Sequence, residues 1–335
     1  METSDNKWHD PQQLLSLHFS FAASRVLSTA LQFDFFSIVN HDFHDTKEIA
    51  KQASADENGT RLILNALTAH GLLTKNNDNY YLTDFTARYL VKDSDEYVGV
   101  MMENDDIWEA WTDLPYIVKN GSPRREVGQK EKGQDFFPKL IQSLHVINLK
   151  PAQKTAEYIS SIIDKNDPII LDLACGSGVW GLSFAKVNPN TKVVFQDFDN
   201  VLDLTKKYVD NFDVATQSDY LPGDLNEIEF RVDEYDIAIL GNIVHSIGEQ
   251  QSRQLFKKLR KALKPGGKIL ILDMIPNEDR SGPVFPIIFA LNMLVNTNSG
   301  NTYTLSEYGN WLKDAGFSKM DTHDIGSHSP LIIGS

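Results

Sequence analysis

Cysteine is almost missing from this 335-residue chain, Cys175 being the only one. No intrachain disulfide and no cysteine-based zinc site can form, so a reducing, cytoplasmic setting is expected, and no metal is. Positive charge is also short. Lys and Arg number 32 against 46 Asp and Glu, for a formal net charge of -14. Such a surface repels phosphate backbones and anionic lipid, so neither nucleic acid nor a membrane is an expected partner. The opening METSDNKWHDPQQ has no basic segment followed by an apolar core, hence no targeting signal is read. No apolar run is seen to approach the roughly 20 residues that span a bilayer. Internal repeats are absent, and the only low-complexity tract is the charged loop 120–135.

What is present is an ordinary globular composition, 41% hydrophobic, at a length that favours two domains over one. From Gln12 to Val39 apolar residues recur at helical spacing, which predicts one or two buried helices. Asp45 or Thr46 can cap a short helix, and Asn58-Gly59 is read as a chain break. A second helix then uses Leu62, Leu64, Leu67 and Leu72 and ends near Gly71. LLTKNNDNYYLT reads as a hairpin. Helix, turn, helix and hairpin is the order of a winged helix. As a DNA reader it is poorly equipped, with Arg61 the only basic residue of the second helix before His70 and Lys75 alone in the wing. A scaffold for packing or dimerisation is the expectation. Residues from Asp93 to Lys150 read as irregularly helical, with 120–135 as a hinge or lid.

After residue 150 strands alternate with helices: 169–173, 192–198, 235–242 and 267–274 are the candidate strands, predicting a parallel sheet covered on both faces. The loop ACGSG follows the first of them. Gly176, Gly178 and Gly181 fit the dinucleotide pattern formally, and glycine there lets backbone approach a ligand. Asp172, at the strand end, would repel a pyrophosphate but suits a ligand bearing an ammonium or hydroxyl. S-adenosylmethionine therefore fits better than NAD. Asp197 ends the next strand, where ribose hydroxyls are bound, and Asp224 lies in the loop before the third, placed for an adenine amine. Taken singly, each carboxylate could be a cap, a turn former or a surface acid.

In LDLACGSG, FQDFDNV, the Gly223-Asp224 pair, IVHS, ALKPGGKILILDMIP and YTLSEYGNWLKDAGF the chain resembles class I S-adenosylmethionine-dependent methyltransferases. Within them it is similar to the small-molecule O-methyltransferases of the caffeate, hydroxyindole and polyketide-tailoring type. The resemblance covers most of the chain. It implies an α/β fold, a Rossmann-like doubly wound sheet, preceded by a mainly helical winged-helix dimerisation domain. The boundaries would be 1–95 for dimerisation, 96–150 for a helical linker contributing to the acceptor site, and 151–335 for the cofactor domain. The first helical segment would be exchanged in a homodimer. Cofactor contacts carry over to Asp172, Gly176, Gly178, Asp197, Phe198, Gly223, Asp224 and Leu225, with Asn242 and Ile243 close by.

The resemblance also makes His245 the general base, a role its ordinary pKa near 6.5 allows at neutral pH. Asp273 takes the place of the acid that flanks it, shorter than the usual Glu. The family's His-Asp-Trp is here His245-Ser246-Ile247, and Thr302 stands where a second acid is common. These departures predict a less firmly oriented base and leave S-, N- or C-methylation open, with His245 then a substrate contact. The acceptor is expected against Phe289, Asn292, Met293 and Tyr303 and against Phe137, His145 and Asn148, with Trp108 and Trp111 able to close an aromatic wall. Outside the class, the rivals are an NAD(P)-dependent oxidoreductase, needing Gly181 at the pyrophosphate, and a noncatalytic ligand-sensing regulator, needing a basic face.

Overall fold

A computed structural model describes residues 8–103, 105–122 and 130–335, without the side chains of 130–139. Contacts divide the chain into two units, Met1–Asp105 and Asp106–Ser335.

The first unit holds α1 (Pro11–Gln32), α2 (Phe35–Asn40), α3 (Thr46–Gln52), α4 (Glu57–Ala69), the hairpin β1 (Leu73–Asn76) and β2 (Asn79–Leu82), and α5 (Asp84–Tyr89). Asp10 and Gln13 form a capping box that starts α1 at Pro11. Of its apolar residues only Ala30 and Leu31, near its end, are buried, while Leu14, Leu17, Phe19 and Phe21 are all more than half exposed. The expectation of a buried helix thus fails within one chain. Contrary to the sequence reading, α1 is also long and apolar enough to cross a membrane by length and composition. Asp45 caps α3, accepting from Lys47 and Glu48. Asn58-Gly59 does not break the chain. Asp56 caps α4 by accepting the Gly59 N–H at 2.8 Å, which draws both residues into the helix. Leu64 and Leu67 are buried there, but Leu62 points outward. The hairpin pairs Leu73 with Leu82 and Asn76 with Asn79, and its Lys75 amine donates to Asn65 and Tyr80.

The second unit begins with α6 (Asp106–Thr112), α7 (Leu114–Asn120) and α8 (Lys130–Ile162), a single helix that runs through the 150/151 boundary drawn from the sequence. Most of the expected hinge or lid, residues 123–129, lies outside the described residues, as does the Phe137 side chain. There follow β3 (Ile169–Leu173), α9 (Val179–Val187), β4 (Lys192–Asp197), α10 (Asp199–Asn211), β5 (Ser218–Pro222), β6 (Tyr235–Gly241), α11 (Val244–Ala262), β7 (Leu263–Leu272), α12 (Val284–Asn296), α13 (Leu305–Ala315), β8 (Met320–His323) and β9 (Leu331–Gly334).

Seven strands form one sheet in the order β5-β4-β3-β6-β7-β9-β8, parallel from β5 to β7 and antiparallel at β9 and β8. One apolar core packs Ile170, Ile237 and Leu270 with the α8, α9 and α10 side; the other packs Leu171, Leu240 and Ile271 with α11 and α13. Both faces are covered, which is why β3, β6 and β7 read as near-continuous apolar runs. The chain runs outward from β3 to β5 and then returns to β6. Ligands bind in the crevice such a reversal leaves at the carboxyl ends, here flanked by the loops after β3 and β6.

Candidate active site

The loop after β3 is held open by backbone conformation. Ala174, Gly176 and Gly178 have φ of 46°, 56° and 76°, in the left-handed region. A Cβ on Gly178 would also sit 2.7 Å from the Phe195 ring, so both conformation and space require glycine. Gly181 faces the other way. In α9 its missing Cβ leaves room for Val193 and Phe195 of β4, so it seats the helix on the sheet and is not presented to a pyrophosphate as the oxidoreductase reading requires.

Three carboxylates stand at the ends of three adjacent strands. Asp172 is fully buried, and its Oδ2 accepts the Gly181 N–H at 2.9 Å, so it does cap α9 from a distance. Its Oδ1 is buried with no partner among the described residues. Burial, above all, pushes its pKa up to about 8, with the nearby Asp197 adding to the rise. Asp197 accepts from the N–H groups of Gly176 at 2.9 Å and Phe198 at 2.8 Å, and burial raises its pKa against those two bonds. Asp224 accepts the Asn226 backbone and side-chain N–H groups at Oδ1. Phe198 is half exposed beside Asp197, Gly223 donates to the Asp197 carbonyl, and Leu225 is buried in the core below.

Sequence reasoning missed the residue that ties these loops together. The buried Gln196 side chain accepts the Ala174 N–H at 3.2 Å and donates to the Gly223 carbonyl at 2.7 Å, linking the loops after β3 and β5. Its polar side chain in an otherwise apolar strand was the available signal. Gly241 was missed too, although a Cβ there would fall 2.2 Å from the Trp180 indole nitrogen.

At the end of β6, Asn242 (φ 58°) donates to the Leu272 carbonyl, and its side chain donates to Asn148 of α8 at 3.3 Å. Ile243 caps α11, and His245 lies in the first turn, which Gly248 breaks off from the rest of the helix. The His245 Nδ1 lies 2.5 Å from Asp273 Oδ1, and its backbone N–H donates to Oδ2 at 2.9 Å. Asp273 also accepts from Met274 N at 2.7 Å and from the Tyr308 hydroxyl at 3.1 Å. The His245 ring and backbone are both tied to Asp273, so the imidazole is held more firmly than the departures in sequence led us to expect. Thr302 is buried and donates to the Pro286 carbonyl, a packing role. With Nδ1 engaged, Nε2 is the ring nitrogen that has no partner among the described residues.

The structure gathers some of the expected acceptor residues around His245 and sends others elsewhere. Phe289 of α12 meets the His245 ring edge-on, with centroids 5.0 Å apart. Asn292 accepts the Trp111 N–H at 3.2 Å, tying α6 to α12, with Trp108 one turn earlier on α6. Met293 is buried beneath α12, and Tyr303 is packed edge-on against Trp311, its hydroxyl pushed up to about 12 by burial. His145 belongs to the glycine loop. Its Nδ1 lies 2.9 Å from Ser177 Oγ, its ring stacks on Tyr208 at 4.2 Å, and burial pushes its pKa down to about 4.

Two halves thus meet at one crevice: a loop bordered by carboxylates and a buried imidazole-carboxylate pair. Over residues 112–318 the sequence matches the O-methyltransferase domain, and over 15–93 the O-methyltransferase dimerisation domain. The chain belongs to the O-methyltransferase family.

This O-methyltransferase is 24% identical to the tetracenomycin polyketide synthesis 8-O-methyl transferase of Streptomyces glaucescens, over 97% of this chain and 96% of that one. It is 25% identical to the acetylserotonin O-methyltransferase of Gallus gallus, over 97% of each chain. Its fold is similar to that of human N-acetylserotonin methyltransferase, solved in complex with S-adenosylmethionine, at a TM-score of 0.84 and 23% identity over 98% of both chains. The enzyme is an S-adenosylmethionine-dependent methyltransferase. The orphan oxygen of Asp172 fits the ammonium of that cofactor, and the backbone at Gly176 has no side chain to hold a ligand off. Among the described residues no group of three or more His, Cys, Asp or Glu could hold a metal.

Proposed function

We propose that this enzyme methylates a hydroxyl oxygen of a small, largely apolar acceptor, with His245 as general base. The observation that carries this is the His245 Nδ1 contact with Asp273, which leaves Nε2 without a partner among the described residues on a ring that meets Phe289 edge-on. S-adenosylmethionine supplies an electrophilic sulfonium methyl. Asp172 takes the ammonium with its unpartnered oxygen, Asp197 the ribose hydroxyls, and Asp224 an adenine amine. Phe198 and Leu225 would flank the adenine ring, the backbone at Gly176 and Gly223 would let the ligand close in, Gly178 would hold the loop's shape, and Asn242 and Ile243 border the side nearest His245. As Nε2 receives the acceptor proton, the imidazolium charge is balanced across Nδ1 by Asp273. Phe289, Asn292, Trp108 and Asn148 contact the acceptor; His145 serves the cofactor loop instead, and Met293 and Tyr303 support the wall from behind.

The first unit is in this reading a winged-helix module that forms a homodimer, because the exposed apolar side of α1 needs a cover and this unit carries the dimerisation domain. A cytoplasmic location belongs to the same reading, since the lone Cys175 is buried and has no disulfide partner to find. The test is incubation with methyl-labelled S-adenosylmethionine and a panel of phenols, thiols and amines, with the label located by NMR. Label on oxygen supports the proposal; label on sulfur, nitrogen or carbon alone overturns it.

A further inference from the structure

Among the described residues Asp273 makes four hydrogen bonds, two of them with side chains. His245 provides one and Tyr308 of α13 the other. The remaining donors are the backbone N–H groups of His245 and Met274, which no side-chain substitution removes. An aspartate, one methylene shorter than glutamate, keeps its carboxylate close to β7, and the Tyr308 hydroxyl comes to meet it there. We propose that Tyr308 is a positioning residue: by donating to Asp273 Oδ2 it fixes how that carboxylate grips His245 and limits the negative charge that His245 feels. The proposal rests on the reading of His245 as the base.

The placement of Tyr308 is built into the fold. Thr304 and Glu307 form a capping box at the start of α13. Glu307 receives Arg280 on both carboxylate oxygens, at 2.9 and 2.7 Å, and Arg280 also donates to the Thr302 carbonyl. The loop after β7 and the helix that delivers Tyr308 are thereby joined. The Tyr308 ring is fully buried, edge-on to Tyr303 and Trp311. Burial first, and then the Asp273 charge, hold its hydroxyl well above the ordinary phenol range, so it remains a donor to Asp273. The other charged or titratable groups acting on this cluster are Tyr303, Glu307, Glu249 and Arg280.

A hydrogen bond to Oδ2 draws charge away from Oδ1, the oxygen that faces the ring. Losing it leaves a more basic carboxylate against Nδ1, which favours the imidazolium. The bond therefore favours the neutral imidazole over the imidazolium, the form a base must start from.

The experiment is a pH titration of the full-length protein labelled with 15N-histidine, comparing wild type with Tyr308→Phe and using His245→Gln to assign the signals. The expected result is that the His245 midpoint rises by about half a pH unit or more in Tyr308→Phe, with its Nδ1–H signal retained. A midpoint that stays put or falls, even with a lowered melting temperature, overturns the proposal and makes Tyr308 packing alone. The base reading fails separately, through undiminished methyl transfer by His245→Ala, a result that leaves the titration difference standing.

Discussion

Asp273 holds His245 at two points of one residue, Oδ1 lying 2.5 Å from the ring Nδ1 and Oδ2 accepting the backbone N–H at 2.9 Å. The first contact sets the tautomer and orientation of the ring. The second keeps the carboxylate in place while the ring changes charge. Asp273→Asn retains much of this geometry but removes the charge that balances an imidazolium. Its methyl-transfer rate should fall by about 100-fold or more in single-turnover assays, with affinity for S-adenosylhomocysteine unchanged.

Asp172 should trade stability for binding. Its folded pKa of about 8 lies above the ordinary 3.8, so the native state keeps a proton that the unfolded chain releases. Its unfavourable contribution is therefore absent below pH 3.8 and grows as the pH rises toward about 8. Asp172→Asn removes this dependence. Relative to wild type the variant should gain up to about 4 kcal/mol between pH 5 and pH 8, read from denaturant midpoints, while losing cofactor affinity. A wild type that gains on the variant as the pH rises would contradict the assignment.

The glycine loop makes a steric prediction. Gly178→Ala forces a side chain into a φ of 76° and against the Phe195 ring. Destabilisation by about 2 kcal/mol or more is expected, together with weaker S-adenosylhomocysteine binding. Chemical denaturation and calorimetric titration measure the two effects.

The exposed apolar side of α1 predicts a dimer sensitive to charge. Leu17→Glu combined with Phe21→Glu should convert the dimer to a monomer in gel filtration with light scattering, because both residues are more than half exposed in the single chain. An unchanged mass would place the subunit contact elsewhere.

Much of this was legible before any coordinates. The strands that cradle the site, β3, β4, β6 and β7, are buried on both faces and announce themselves as apolar runs. β5 and β8 do not, because they lie at the edges of the sheet and have mixed sequences, and β9 is only four residues long. Asp172, Asp197 and His245 stand out as candidates in the sequence because each follows or ends an apolar run. Tyr308 could not, since what matters is its hydrogen bond to a residue distant in sequence, and Gln196 offered only a polar side chain in an apolar strand, with nothing to show which loops it joins. His145 misled for a related reason: helical spacing gives the face of α8 on which it lies, but not that Ser177 and Tyr208 occupy that face. Asn58-Gly59 misled because a cap two residues earlier outweighs the local preference of both residues for a turn.

The most direct test of the account is the single-turnover rate of methyl transfer to a phenolic acceptor by His245→Ala, measured beside its affinity for S-adenosylhomocysteine. The account predicts a rate lower by about 100-fold or more with the affinity unchanged. A variant that binds the cofactor product normally and still transfers the methyl group at the wild-type rate would contradict it, and would reduce His245 to a wall of the acceptor site.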